Sequence, residues 1–251
     1  MKITERKGDT EILLSKSTRD LVMSPKIPTN CGLSNQPFTC VVSGRCGSGK
    51  SHLVESIMKK QYRIGAGKQT CWDSIWIIAP ESCQTSYKDS FAEDCDPDKI
   101  FDELTYDNLA KVYEGAKETM SLGEGQRQKF FSLLIIDDCA SELRLKNIQR
   151  LLLRMLRNHR HLHLSIIICT QNYMAIQKDC RDNMRQLIQF NTTNQLEKER
   201  IRIEWCGMFD KYEFEGFWSY LFDKEPYQFL MADRKTDKFH KTFNPLEINL
   251  V

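Results

Sequence analysis

Val41-Val42-Ser43-Gly44-Arg45-Cys46-Gly47-Ser48-Gly49-Lys50-Ser51 is an apolar run that ends in the pattern G-x-x-x-x-G-K-S. Its glycines let the backbone curl so that several N–H groups face one anion, a geometry that a Cβ would obstruct. Lys50 adds a mobile positive charge for the β- and γ-phosphates of a nucleotide, and Ser51 adds a hydroxyl able to ligate Mg²⁺. A helix that starts there points the positive end of its dipole at the same phosphates. The flanks suit the motif: Phe38 to Ser43 is a short β-rich run, and Ser51 to Lys60 is a helix candidate without Pro or Gly. Gly44, Arg45, Cys46, Gly47, Ser48, Gly49, Lys50 and Ser51 are therefore the expected nucleotide-binding residues, for a nucleoside triphosphate with Mg²⁺. A Gly-rich turn without nucleotide accounts poorly for a strand on one side and a helix on the other.

Beyond this motif, short β-rich runs alternate with helical stretches, the pattern of a parallel sheet covered by helices. The strand candidates are Thr39–Ser43, Ser74–Ala79, Ser132–Asp137, Leu164–Thr170 and Leu187–Asn191. A helix is expected within Leu104–Met120. Another is expected over Glu142–Asn158, where Leu145, Ile148, Leu152, Met155 and Leu156 share one face, and Lys146, Arg150, Arg154 and Arg157 the opposite one. Gln195–Met208 reads as helical. An aromatic-rich stretch from Phe209 to Phe222 follows, read as core or interface packing, and then possible strands at Gln228–Ala232 and Lys238–Phe243. The fold class is thus α/β, in three parts: an irregular arm over residues 1–36, a core over 37–193, and a smaller C-terminal extension of the same domain over 194–251.

The second motif is Phe131-Ser132-Leu133-Leu134-Ile135-Ile136-Asp137-Asp138, a buried-strand pattern ending in two acids. A carboxylate at the carboxyl end of such a strand, beside a phosphate loop, is suited to hold Mg²⁺, and Asp137 fits that role. Asp138 is then free to orient the attacking water and accept its proton. The plainer reading, that both acids simply end a strand and begin a turn, loses force beside a phosphate loop. A third strand, Leu164–Thr170, is followed by Gln171, whose amide is able to hydrogen-bond the γ-phosphate or the lytic water. The motif order places an additional strand, Ser74–Ala79, between the phosphate-loop and Asp-Asp strands.

Composition narrows the class further. Basic and acidic residues number 36 and 34, a formal net charge of +2, so bulk charge does not announce a nucleic-acid partner. The basic residues are locally concentrated: Leu143 to His163 holds six Lys or Arg and no acid, which suits either a solvated face, a subunit interface or nonspecific contact with DNA phosphates. The ten cysteines are scattered with no Cys-x-x-Cys pair, as in a reduced, intracellular protein. His159, His161 and His163 alternate without a second cluster at ligand spacing, so a metal site there is the weaker reading. The first residues are too polar for a secretory signal, and no apolar run approaches a membrane span.

Taken in order, GRCGSGKS, LLIIDD and ICTQ, with Arg157-Asn158-His159-Arg160-His161 before the last strand, resemble the FtsK/HerA superfamily of DNA-pumping ATPases. Within it they are most similar to the genome-packaging ATPases of poxviruses, other large DNA viruses and virophages. The resemblance covers roughly Pro37 to Asn191. It implies a RecA-like (ASCE) P-loop NTPase fold, with a central mostly parallel sheet flanked by helices. It further implies a motor that hydrolyses ATP to move double-stranded viral DNA into a capsid, with Lys50 and Ser51 on phosphates and Mg²⁺, Asp137 on the metal, Asp138 on water and Gln171 as polar sensor. In this superfamily an arginine reaches the neighbouring subunit's site from just before the sensor strand. Arg160 stands at the corresponding spacing, with Arg157 as second choice. Many members carry Glu where Asp138 sits.

The implied partners are nonspecific double-stranded DNA, further copies of the chain in a homo-oligomeric ring of five or six, and proteins of the capsid or portal vertex. The implied setting is soluble, in the host cytoplasm at a virus factory or in the virion. About 60 residues follow Asn191, fewer than a typical separate nuclease domain needs, so cutting of genome ends is expected of another protein. Two other classes account for part of the pattern. A nucleoside or nucleotide kinase explains the phosphate loop but not Asp137-Asp138 or Gln171 with Arg160. An ATP-dependent binding switch differs in slow turnover without stimulation by DNA.

Overall fold

The structure, a computed structural model, describes residues 33, 36–60, 71–88, 95–125, 129–223 and 226–248. The expected arm over 1–36 lies outside the described residues, save Leu33 and Gln36. Among the described residues nine strands form one sheet in the order β3-β2-β4-β5-β1-β6-β7-β8-β9. Six of them run parallel: β1 (Thr39–Ser43), β2 (Ser74–Ile78), β3 (Ile100–Phe101), β4 (Ser132–Asp137), β5 (Leu164–Thr170) and β6 (Gln186–Phe190). The last three, β7 (Phe229–Asp233), β8 (Lys238–Lys241) and β9 (Asn244–Pro245), add to one edge antiparallel.

The central strands read as unbroken apolar runs because both faces of the sheet are covered. Alternate side chains feed two cores. Val41, Ile78, Leu134, Ile136, Ile166, Ile168 and Leu187 face one of them. That core is completed by α3 (Tyr106–Gly125), α4 (Lys146–Asn158), α6 (Gln195–Trp205) and α7 (Lys211–Phe222). Cys40, Val42, Ile77, Leu133, Ile135, Ile167 and Ile188 face the other, with Val54, Ile57 and Met58 of α1 (Lys50–Lys60) and Tyr87 of α2 (Glu81–Lys88). A fully buried Ile, Leu or Met contributes roughly 1.5–3 kcal/mol over its exposed state. This two-sided burial holds the strand ends, and hence the site, in place.

Two expectations are corrected. In the sheet the strand inserted between the phosphate-loop strand β1 and the Asp-Asp strand β4 is β5, not Ser74–Ala79; β2 lies outside β4. Consequently Gln171, at the end of β5, sits between the two motifs. The helix expected over Glu142–Asn158 is two pieces, a 3₁₀ turn at Glu142–Arg144 and then α4. Leu145 between them has extended backbone and is half-exposed rather than part of the buried face, and Leu143 takes the core position instead. The aromatic stretch from Phe209 to Phe222 packs into the core as expected, and it contains a whole helix, α7, opened by a capping box between Asp210 and Glu213. The short helices α2 and α5 (Lys178–Asp182) were also not expected. Among the described residues no helix is long and apolar enough to cross a membrane.

Candidate functional site

The site lies beyond the carboxyl ends of β1, β4 and β5, where parallel α/β sheets open their crevices. Its floor is the loop from Gly44 to Gly49. Gly44 is required by close packing: a Cβ there would stand 2.6 Å from Ser48 Oγ and 2.7 Å from Phe190 Cβ. Gly49 is required by conformation, with φ at +93°, and a Cβ there would also approach the Tyr227 ring at 3.3 Å. Ser48 Oγ is buried with no hydrogen-bond partner among the described residues. A buried hydroxyl left unpaired in such a loop calls for a polar ligand. The first turn of α1 carries no acid, so nothing in it competes with an anion for the helix dipole.

Lys50 is buried, and its ammonium donates to Gly44 O at 2.8 Å and Arg45 O at 3.0 Å. Two of three donors are thus engaged by the loop itself, and one is left for a phosphate oxygen. Asp137 is in phase with Leu133 and Ile135, whose face of the sheet carries α1 and α2. Its carboxylate accordingly meets both helices: Ser51 Oγ and Tyr87 OH each donate to Asp137 Oδ2 at 2.7 Å. Burial pushes the Tyr87 hydroxyl well above its ordinary pKa, and the Asp137 charge adds to the effect.

Asp138 follows β4 in the left-handed region, at φ 53°. Asp and Asn are the non-glycine residues that tolerate this region best, and Asp138 thereby turns away from the strand. Gln171 Nε2 donates to Asp138 Oδ1 at 2.7 Å, and Cys83 Sγ lies 3.8 Å from Oδ2. Burial, and then the Asp137 charge, push the Cys83 thiol up, so it stays a neutral donor. Lys50, Ser51, Asp137, Asp138 and Gln171 line a single pocket. An aromatic cleft adjoins it on the other side of the loop, where Phe190 and Tyr227 stand beside Arg45 and Ser48.

Arg160 is not brought into this pocket. It is exposed before the amino end of β5, whose length separates it from Gln171 by roughly 20 Å. There it shares a basic cleft with Arg157, His159, Arg185 and Lys235. The His159 imidazole is held below its usual range by burial, with the Arg160 and Arg185 charges adding to the effect.

Three residues of the site were not expected. Tyr87 and Cys83 are four apart on α2, so one face of that helix backs both acids. Glu197, near the start of α6, is buried and accepts from Ser43 Oγ at 3.3 Å, Tyr173 N at 2.7 Å and Thr192 Oγ1 at 2.8 Å. It ties the end of β1 to the segment just after Gln171. The i, i+4 spacing of Cys83 and Tyr87 was the available signal for α2; Glu197 carried none, since two of its three partners, Ser43 and Tyr173, are remote in sequence.

The donor set at Ser51 and Asp137 fits Mg²⁺: one hydroxyl and one carboxylate hydrogen-bonded to each other, beside a loop shaped for phosphates. Mg²⁺ is commonly held by one or two carboxylates together with the substrate's own phosphates. Among the described residues no group of three His, Cys, Asp or Glu side chains forms a self-contained metal site.

Comparison with known proteins agrees with this geometry. The sequence profile of the family described as Poxvirus A32 protein matches residues 29–203. An uncharacterized protein of Acanthamoeba polyphaga mimivirus is 23% identical over 171 residues, covering 67% of this chain and 57% of that relative, so the chain spans little more than half the relative's length. The genome packaging NTPase B204 from Sulfolobus turreted icosahedral virus 2, in complex with ATP-gammaS, superposes with a TM-score of 0.55 at 20% identity, over 84% of this chain and 98% of that one. EssC (ATPases 2 and 3) from Geobacillus thermodenitrificans gives a TM-score of 0.57 at 12% identity, over 83% of this chain and 39% of that one. These structural likenesses show the fold, that of the P-loop ATPases with a mostly parallel sheet flanked by helices.

Proposed function

The chain belongs to the Poxvirus A32 protein family, and from that premise we propose that it is an ATP-hydrolysing motor that drives double-stranded viral DNA into a capsid. The observation that carries this reading is the convergence of three separate motifs, Lys50-Ser51, Asp137-Asp138 and Gln171, on one pocket. That B204, a genome packaging NTPase, shares the fold supports the same reading.

ATP lies with its triphosphate along the loop N–H groups and its nucleoside toward the Phe190–Tyr227 cleft. Lys50 neutralises charge on the β- and γ-phosphates, and Ser51 and Asp137 are the residues that would hold Mg²⁺. A metal held there would supply positive charge to offset the negative charge that builds on the phosphates. Asp138 orients a water in line with the γ-phosphate and takes its proton. Gln171, between the two acid-bearing and phosphate-binding strands, contacts either that water or the γ-phosphate.

Among the described residues lining this pocket Lys50 is the one Lys or Arg, and the equatorial γ-oxygens call for a further cation. Arg160, exposed at the far end of the sheet, supplies it to a neighbouring subunit in a ring. A guanidinium in that position is worth ~10³ or more in rate. The exposed Lys146, Arg150 and Arg157 offer DNA phosphates contacts without sequence preference, as a motor that moves any sequence requires. The chain works in solution or on the capsid, where vertex proteins seat the ring.

The test is steady-state ATP hydrolysis with and without double-stranded DNA at several salt concentrations. Stimulation by DNA of any sequence, weakening steeply with salt, is the expected result. Phosphate transfer to a small molecule with no effect of DNA in any oligomer would overturn the motor reading.

A further inference from the structure

The pair of acids in the pocket is backed by one short helix, and the backing is specific. Tyr87 is 1% exposed, and its hydroxyl donates to Asp137 Oδ2 at 2.7 Å. Ser51 Oγ donates to the same oxygen at the same distance. Two donors on one carboxylate oxygen fix the plane of the group and leave Oδ1 as the oxygen for a metal or its bound water. The support is itself anchored. Gln84 Nε2 donates to Ala79 O at 2.8 Å, and the N–H groups of Cys83 and Gln84 donate to Pro80 O at 2.8 Å and 3.1 Å. The start of α2 is thus tied to the end of β2, the strand paired with β4.

We propose that Tyr87 is a positioning residue for Mg²⁺: its hydroxyl holds the Asp137 carboxylate in the orientation that receives the metal, while Ser51 and Asp137 themselves do the holding. This rests on the reading of Asp137 as the metal-binding acid. A phenol suits the task because its ring packs in the core beneath the sheet while its hydroxyl reaches the acid. Outer partners of this kind typically change metal affinity 10- to 100-fold when removed.

The experiment is Mn²⁺ titration followed by electron paramagnetic resonance, with ATP-gammaS bound, for wild type, Tyr87→Phe and Asp137→Asn. Binding of a fluorescent ATP analogue in EDTA and the melting temperature are measured alongside. Tyr87→Phe is expected to weaken Mn²⁺ binding about tenfold or more, with metal-free nucleotide affinity unchanged. Asp137→Asn is expected to weaken it further. If Asp137→Asn loses the metal but Tyr87→Phe binds it like wild type, the proposal is overturned and the reading of Asp137 stands. If Asp137→Asn binds Mn²⁺ like wild type, the reading of Asp137 itself fails. Equal loss of metal-free nucleotide binding in Tyr87→Phe marks a general packing role and also overturns the proposal. Should Tyr87→Phe not fold, 3-fluorotyrosine placed at position 87 gives a second readout. Its ¹⁹F resonance is expected to move when Mg²⁺ joins the nucleotide complex; no movement overturns the proposal.

Discussion

Gln171 Nε2 donates to Asp138 Oδ1 at 2.7 Å, joining the residues that follow two adjacent strands, β5 and β4. Both residues line the pocket that Lys50, Ser51 and Asp137 also line. The bond exists because β5 is inserted between β1 and β4, and because Asp138 adopts a left-handed backbone that turns its carboxylate toward the neighbouring strand. The same amide is within the pocket that would hold a γ-phosphate.

Removing this amide lowers the rate more than the affinity. A hydrogen bond to a charged group is worth ~1.5–3 kcal/mol, or roughly 10- to 100-fold in rate if it is lost only in the transition state. Gln171→Leu is expected to reduce kcat by about that factor with KM for ATP nearly unchanged. Asp138→Asn, which removes the proposed base, is expected to lose ~10²–10⁴ in kcat while still binding ATP. Single-turnover hydrolysis beside equilibrium binding checks both.

Gly44→Ala tests the floor of the site. The new methyl would collide with Ser48 Oγ and Phe190 Cβ, and overpacking of this kind costs ~1–3 kcal/mol. Thermal unfolding should report that loss, and nucleotide binding should fall with it because the loop must shift. Gly47→Ala meets no atom within 4 Å of the new carbon and carries only the backbone cost of its positive φ, so it should be the milder of the two.

Tyr227→Ala tests the nucleoside end. The ring lies over Gly49 at the lip of the aromatic cleft, with its backbone at φ 64°. Loss of stacking is expected to weaken ATP several-fold while leaving binding of inorganic triphosphate unchanged. Equal weakening of both would show that the ring supports the loop rather than the base.

Away from the site, Arg181 and Glu204 form a buried ion pair at 2.8 Å, extended by Tyr173 OH on Glu204 Oε2 at 2.7 Å. Burial pushes the Glu204 carboxyl up, but hydrogen bonds from Arg181 and Tyr173 outweigh it and hold the group below the usual carboxylate range. With a depressed pKa in the folded state, its contribution is full above the ordinary carboxylate pKa and is lost as pH falls through the folded value. Arg181→Met, which leaves the carboxylate unpaired, is expected to cost ~3–5 kcal/mol at neutral pH. Glu204→Gln should flatten the fall in melting temperature on acidification. Denaturant titration at neutral and acid pH measures both.

Much of the sheet was legible in the sequence because its strands are buried on both faces and bounded by polar turns. β1, β4 and β5 were read with the bounds they have. That Lys50, Ser51, Asp137, Asp138 and Gln171 would gather at one pocket was legible for the same reason, since each lies at the end of one of those strands or in the segment that follows it. What failed was spatial order. Nothing in the spacing of Ser74 and Leu164 says which strand enters between β1 and β4, because that choice is made by packing across the whole sheet. Helix α7 was missed although Asp210 and Glu213 form a capping box, because its run of aromatic residues masks the 3.6-residue period. Leu145 was misplaced because periodicity continues through it while the backbone does not. Tyr87 acts through Asp137, 50 residues away, and Glu197 ties together Ser43, Tyr173 and Thr192 at separations of 154, 24 and 5 residues; no local pattern encodes such a set of contacts.

The claim that each site is completed by a neighbour is tested most directly by mixing two inactive variants. Arg160→Ala retains an intact pocket, and Asp138→Asn retains an intact Arg160. In rings containing both, an Arg160→Ala subunit beside an Asp138→Asn subunit combines a working pocket with a working arginine. DNA-stimulated ATP hydrolysis is therefore expected to return in part on mixing, rising to a maximum at intermediate ratios. Mixed rings verified by co-purification that hydrolyse no faster than either variant alone would contradict the account and remove Arg160 from the mechanism.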